Sequence, residues 1–247
     1  MKLHLDGIVI FVGNYGSGKT EVAVNLAAFE RNAGRHVRIA DLDLVNPYFR
    51  TREVRRQLTD VGIEVVLPDE KYLNADLPVL SPKIAGMIRT PADLSILDVG
   101  GNDVGATVLA ALGDALKDRP FQMIQVVNPY RPFTETLEGC IRIREEIEAA
   151  SRQSITALAA NAHLMGETGV EDVLRGIAFV SRLSEETGLP VEFAAAPAEL
   201  APQLDGDALG LPVLPIRRQL VPPWEQTVRL PGIASKLVEA AQNEQGA

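Results

Sequence analysis

Residues Gly13-Asn14-Tyr15-Gly16-Ser17-Gly18-Lys19-Thr20 spell G-x-x-x-x-G-K-[ST], and the chemistry of that spacing is the holding of phosphate. The glycines at 13, 16 and 18 free the backbone to aim successive N–H groups inward at an anion, with Asn14 and Ser17 filling the turn between them. Lys19 supplies a cation for the β- and γ-phosphates, and the Thr20 hydroxyl is a ligand for Mg²⁺. A helix opening at Lys19 adds the positive end of its dipole. A glycine-rich turn that binds nothing is the plain alternative.

A phosphate loop of this kind needs a carboxylate to hold Mg²⁺ through its water shell, at the end of a neighbouring strand. Asp98 in "SILDVGG" has that position, and Gly101 completes a D-x-x-G whose N–H can approach a γ-phosphate. A helix N-cap is the competing role for Asp98. In "IADLDLVNPYFR", Asp41 and Asp43 stand at i and i+2 and so point the same way from a strand end. One of them is placed to orient the attacking water and the other to assist Mg²⁺. A turn of Asx type leading into Asn46-Pro47 would use the same residues.

The elements that must carry these residues alternate short β-branched runs with longer amphipathic stretches, a pattern of βα units and a mainly parallel sheet in a three-layer α/β/α fold. "GIVIFVG", "HVRIADLD", "IEVVLP", "DLSILDVGG", "FQMIQVVNP", "SITALAANA" and "PVEFAAAP" read as seven strands. "KTEVAVNLAAFERNAG" reads as a helix with an apolar stripe at Val22, Leu26 and Phe29, closed by Gly34. Further helices are expected over Glu135–Ala149, Val170–Thr187 and the C-terminal "IASKLVEAAQ". The proline-rich "LGLPVLPIRRQLVPPW" reads as a long connection able to fold over a site. No linker or repeat divides the chain, so residues 1–247 are expected to form a single domain.

Composition excludes several classes. A net charge of −9 argues against general nucleic-acid binding, and the arginines of "RTREVRR" and "IRR" read as solvated surface. One cysteine and three scattered histidines offer neither a disulfide framework nor a single-chain metal cluster; Cys140 reads as a buried small hydrophobe. No signal peptide and no membrane-spanning run is legible, which predicts a cytoplasmic protein without a membrane partner.

Taken in order on successive strand ends, "GNYGSGKT", "ADLDLVNPYF" and "LDVGG" resemble the signal-recognition, division-site and nickel-insertion class of P-loop NTPases. The likeness is nearest to the deviant-Walker branch of partitioning and division-site ATPases, whose members dimerise face to face around nucleotide. The resemblance implies that Lys19 and Thr20 bind phosphate and Mg²⁺, that Asp43 activates water, and that Asp98 holds the Mg²⁺ shell. It also implies that Asn161 reads the nucleotide base, with Asn128 a second candidate. Asn14 departs from the branch, which carries a lysine there that reaches the partner's phosphates. Either Arg50, Arg52 or Arg131 replaces that cation, or turnover is slow and nucleotide state serves as a switch.

The leading expectation is therefore an ATPase that uses Mg-ATP as a conformational or dimerisation switch on a partner protein, with "LVNPYFRTRE" as its responsive segment. A metabolic transferase or ligase related to dethiobiotin or cobyrinate amidating enzymes is the alternative, with Arg217 and Arg218 in a substrate lid. A non-hydrolysing scaffold is a third. ATP is favoured over GTP because "NAHL" follows the strand where [NT]-K-x-D would read guanine.

Overall fold

Gly7–Val12 (β1) is apolar on both sides, so it belongs in the middle of a sheet covered on both faces. The computed structural model describes residue 3 and residues 5–43, 50–67 and 82–220. In it β1 pairs in parallel with Leu94–Val99 (β4) on one side and Phe121–Val127 (β5) on the other. Val37–Leu42 (β2) and Glu64–Val66 (β3) extend the sheet beyond β4. Ala157–Ala160 (β6), Val191–Pro197 (β7) and Val213–Ile216 (β8) extend it beyond β5. The order is β3-β2-β4-β1-β5-β6-β7-β8 and every pairing is parallel.

Two helices, Lys19–Asn32 (α1) and Arg55–Asp60 (α2), cover the face that carries Val9, Phe11, Ile39 and Ile96. Pro82–Arg89 (α3), Asn102–Ala111 (α4), Gly113–Leu116 (α5), Leu137–Ser151 (α6) and Val170–Thr187 (α7) cover the other, packing on Ile8, Ile10, Leu97 and Val127. Under α1 the rings of Phe11 and Phe193 meet edge to face at 6.3 Å, joining β1 to β7. Among the described residues no helix is long and apolar enough to cross a membrane.

Four features differ from the sequence expectation. The proline-rich connection contains β8, which among the described residues pairs only with β7; Pro215 is tolerated there because an edge strand has one unpaired side. Helices α3 and α4 had no clear sequence signal. On α1 the buried side centres on Ala23, Ala27 and Glu30, and Glu30 binds the Arg35 guanidinium at 2.8 Å. Phe29 is thereby turned outward and is 40% exposed, although the expected stripe placed it in the core. Finally, "RTREVRR" is not all solvated surface: Arg55 and Arg56 are exposed, but Arg52 is not. Cys140 is fully buried as expected, and burial with the nearby Glu135 pushes its thiol up to about 12. The expected C-terminal helix lies outside the described residues.

Candidate functional site

The parallel register brings the chemistry-bearing residues to one level. Asp98 lies opposite Phe11 on β1 and opposite Asp41 on β2, so both carboxylate strands end beside the phosphate loop that leaves β1. The loop's glycines are needed where they stand. A Cβ on Gly13 (φ 141°) would sit 2.6 Å from the Val126 carbonyl oxygen. One on Gly18 (φ 86°) would collide with the Asn161 amide. From there α1 runs back under the sheet, and its first two side chains, Lys19 and Thr20, are buried.

Lys19 spans the loop and donates from Nζ to the Asn14 carbonyl oxygen at 3.0 Å. Burial lowers its pKa, and the neighbouring Asp98 and Asp43 carboxylates oppose that shift. The Thr20 hydroxyl donates to Asp98 Oδ1 at 3.3 Å, and the Thr51 hydroxyl to Asp98 Oδ2 at 2.8 Å. Burial, with Asp41 nearby, pushes the Asp98 carboxyl up to about 7, against the pull of Thr51, Lys19 and Thr20. Gly101 packs on the loop, since a Cβ there would lie 3.0 Å from Tyr15 and 3.2 Å from Lys19 Nζ.

The two aspartates of the D-x-D diverge. Asp41 is fully buried and accepts from the Arg52 guanidinium at 2.7 and 3.2 Å, from the Arg52 backbone N–H at 3.0 Å and from the Asp43 N–H at 3.0 Å. It is committed to that ion pair and is not free for Mg²⁺. Asp43 follows the end of β2, leaves the pleat and turns its carboxylate toward Gly100 at the cavity wall. The Arg52 guanidinium also donates to the Asp43 carbonyl oxygen at 2.9 Å.

Asn14 is buried and locally occupied. Its amide donates to the Pro132 carbonyl oxygen at 2.7 Å, and its side-chain oxygen accepts from the Tyr15 N–H at 2.8 Å. This clamps the loop after β5 onto the phosphate loop. A second tie joins Arg131 Nε to the Gly16 carbonyl oxygen at 3.1 Å. Asn161 donates to the Ser17 carbonyl oxygen at 2.7 Å, so its amide braces the loop from the other side. Asn128 is fully buried and holds His163 through both its backbone groups, at 3.1 and 3.4 Å. Of the three arginines considered as replacement cations, Arg52 is held by Asp41 and Arg50 lies 3.6 Å from Glu53.

A cavity of about 520 Å³ reaches from Lys19, Thr20 and Asp43 past Gly18, Asn161 and His163 to the end of β7. The volume falls in the range of ligand sites. Its rim beyond β8 is a strap, Arg217 to Leu220, latched to α1. Glu21 accepts from the Gln219 N–H at 2.7 Å and the Leu220 N–H at 3.1 Å. Asn25 exchanges hydrogen bonds with the Arg217 N–H and carbonyl at 2.8 and 3.1 Å. Burial pushes the Glu21 carboxyl up, opposed by these bonds. Thr51, Glu21 and Asn25 escaped sequence reasoning, because nothing in their local sequence names partners so distant; Arg52 was expected as a replacement cation and instead pairs with Asp41.

The residues fit a nucleotide and a divalent cation on structural grounds. The Ser17 hydroxyl is fully buried at the loop with no hydrogen-bond partner, and Lys19 is a buried cation beside two carboxylates. A Thr hydroxyl next to one or two carboxylates is a donor set suited to Mg²⁺, which keeps waters and substrate oxygens for its remaining positions. Among the described residues no group of three or more His, Cys, Asp or Glu side chains forms a cage for a metal held by protein alone.

Comparison with family models gives no match, and comparison with curated proteins gives none either. Solved structures do match. The cell division protein FtsY of Thermotoga maritima aligns with a TM-score of 0.56 at 18% identity, over 79% of this chain and 65% of that one. Chloroplast FtsY of Physcomitrella patens gives 0.55 at 20%, over 78% and 60%. The signal recognition particle 54 kDa protein of Aeropyrum pernix in complex with GDP gives 0.52 at 18%, over 78% and 42%. This chain thus spans less than two-thirds of the length of each. What is common to all is the architecture, and the eight-stranded parallel sheet with a phosphate loop at the end of its central strand is the α/β fold of the P-loop NTPases.

Proposed function

We propose that this chain is a P-loop nucleoside triphosphatase that binds Mg-ATP in the 520 Å³ cavity and uses its hydrolysis as a switch on a partner protein. The observation that carries the reading is the convergence of Lys19, Thr20 and Asp43 on one end of that cavity, with the buried Asp98 bound to Thr20 behind them, beneath a loop whose Ser17 hydroxyl lacks a partner. In it the N–H groups of residues 13–20 cradle the phosphates, Lys19 neutralises their charge, and Thr20 and Asp98 hold Mg²⁺. That ion, when bound, offsets charge on the β- and γ-phosphate oxygens. Asp43, at the cavity wall beside Gly100, orients the attacking water, and the Gly101 N–H faces the γ-phosphate.

The switch reading draws on Thr51, whose hydroxyl shares Asp98 with Thr20. A change at the Mg²⁺ carboxylate is therefore felt at the residues that follow the D-x-D. The segment expected to respond begins outside the described residues, at 44–49, and continues through this anchor. Tyr15 and Phe133, 64% and 71% exposed on the phosphate loop and on the loop clamped to it, offer a surface for a second copy or another protein. With Asn14 neutral and occupied, and Arg52 and Arg50 paired, slow turnover is the consistent expectation. ATP is favoured over GTP although solved structures of matching fold carry GDP, because Ala162 and Leu164 stand where the guanine-reading [NT]-K-x-D would have its lysine and aspartate. In the cell we place the protein in the cytoplasm, as a single domain with no membrane partner.

One observation favours a second reading, an ATP-dependent metabolic transferase or ligase: the strap with Arg217 and Arg218 lines the same cavity and could hold an anionic substrate. Light scattering of the whole chain, alone, with Mg-ATP and with Mg-GTP, separates the two, with nucleotide affinities of the parent and Lys19→Ala measured alongside. Doubling of the mass with ATP and loss of binding in Lys19→Ala support the switch. An unchanged mass despite tight binding supports the metabolic enzyme, and undiminished binding by Lys19→Ala overturns both.

A further inference from the structure

The cavity runs from the phosphate loop to the end of β7, and its two ends differ in kind. At one end lie Lys19, Asp43, Gly101 and the buried Asp98. At the other, past Gly18, the wall includes the aliphatic Ala195–Ala198 and Ile216, with His163 packed 3.2 Å from where a Cβ on Gly18 would be. Only Tyr15 and His163 among the lining residues carry aromatic rings, and Tyr15 belongs to the loop beside Gly101.

Between the ends sits Arg131. Its Cδ, Nε and Cζ lie 3.5–3.9 Å from the position of a Gly16 Cβ, so the guanidinium rests on the outer backbone of the loop while Nε donates to the Gly16 carbonyl oxygen. The loop that carries it is fixed. Its N–H donates to the Asn128 carbonyl oxygen at 3.2 Å, its carbonyl accepts from both the N–H and the hydroxyl of Thr134 at 3.1 Å, and the next residue, Pro132, is gripped by Asn14. No acidic side chain pairs with it among the described residues, in contrast to Arg50 and Arg52.

We propose that Arg131 is the platform on which the nucleobase stacks, a role in the nucleoside half of the site and not in phosphate binding; this rests on the nucleotide reading above. A planar guanidinium held at the wall of a cavity that Ala195–Ala198 and Ile216 also line matches the face of a flat heteroaromatic ring. The neutrality of His163, whose imidazole is brought down to about 4 by burial and by Arg131 and Arg218, agrees with Arg131 lying on this side. Stacking uses the π-face that every base has, so Arg131 gives affinity without choosing between adenine and guanine.

The test is calorimetric titration of the full chain with Mg-ATP, Mg-GTP and Mg-tripolyphosphate, the last being a triphosphate without a nucleoside. The proteins compared are the parent, Arg131→Ala, Arg131→Lys and Lys19→Ala. Loss of stacking weakens ATP and GTP alike in Arg131→Ala, roughly 5- to 100-fold, and leaves tripolyphosphate within about 2-fold. Arg131→Lys retains the charge and the reach to the Gly16 carbonyl oxygen but not the plane, and it is expected to bind nucleotide as weakly as Arg131→Ala with a parental melting temperature. Equal weakening of tripolyphosphate, or full nucleotide affinity in Arg131→Lys, overturns the proposal. A parent that binds none of the three ligands overturns the nucleotide reading itself, and Lys19→Ala losing all three while Arg131→Ala loses only the nucleotides supports both.

Discussion

Arg52→Ala should destabilise the protein by about 3–5 kcal/mol, the cost of leaving a buried charge without its partner. The magnitude follows from the site. Asp41 is fully buried, and Arg52 gives it two side-chain hydrogen bonds at 2.7 and 3.2 Å as well as a backbone one at 3.0 Å. Truncation removes both guanidinium contacts and leaves the carboxylate with two backbone N–H groups in a site that water does not reach. A domain of this size has about 5–15 kcal/mol in all, so the loss is a large fraction of it. Equilibrium unfolding in urea measures the change as a shift in midpoint at constant slope. The companion variant Asp41→Leu with Arg52→Met removes both charges, and it should recover most of the deficit, because such a pair contributes little beyond its own desolvation. Arg52 also holds the Asp43 carbonyl oxygen, so the single variant should also lose the hydrolysis proposed above. An Arg52→Ala protein within 1 kcal/mol of the parent would refute the argument that Asp41 is a structural anion.

Asn14→Ala removes the bond to the Pro132 carbonyl oxygen and the acceptor for the Tyr15 N–H, and should cost about 1–2 kcal/mol by the same unfolding assay. Because the clamp also positions Arg131, nucleotide affinity should fall with it, which titration reads directly. His163 supplies a pH dependence. Its pKa falls from 6.5 in the unfolded chain to about 4 in the fold, so the unfolded state binds more protons between those values. The stability it confers is complete above pH 6.5 and is lost as pH falls toward 4, by up to about 3 kcal/mol. His163→Gln, which takes up no proton, should lack that share of the slope when both proteins are unfolded at pH 7, 6, 5 and 4.

What the sequence made legible was governed by local rules. The phosphate loop is a strand, a glycine turn and a helix start within fourteen or so residues, and each obeys a backbone constraint visible in the residue types. Asp98 was placed by the apolar run before it and the glycines after it, and seven of the eight strands by β-branched alternation. The remainder depended on partners far away in the chain. The occupation of Asn14 requires Pro132, 118 residues on, and no pattern near either residue announces the other. The D-x-D looked like two equivalent carboxylates until the chain end of β2 released Asp43 from the pleat and Arg52 returned to claim Asp41. Val22 and Leu26 of the expected stripe are fully buried, but Phe29 was misplaced because the buried side of α1 turns toward two alanines and a carboxylate with its own arginine. The strand β8 was hidden by prolines that an edge position accepts.

The latch between α1 and the strap has a consequence for the order in which the molecule can be made. Glu21 and the Gln219 N–H it receives are 198 residues apart, and Asn25 and Arg217 are 192 apart. A ribosome that has delivered the phosphate loop and its helix must still translate nearly the whole of the described chain before the far rim of the cavity exists. Until then Glu21 has no strap to bind and β7 no outer neighbour, so a nascent chain can assemble β1, β4 and β5 around the loop while the β7 end of the cavity stays open. Contacts of such long sequence separation are formed late, since closing the chain costs entropy before the contact repays it. Completion of the cavity is in that sense a report that synthesis has passed residue 220, and a bound nucleotide would be enclosed only by a chain that has got that far.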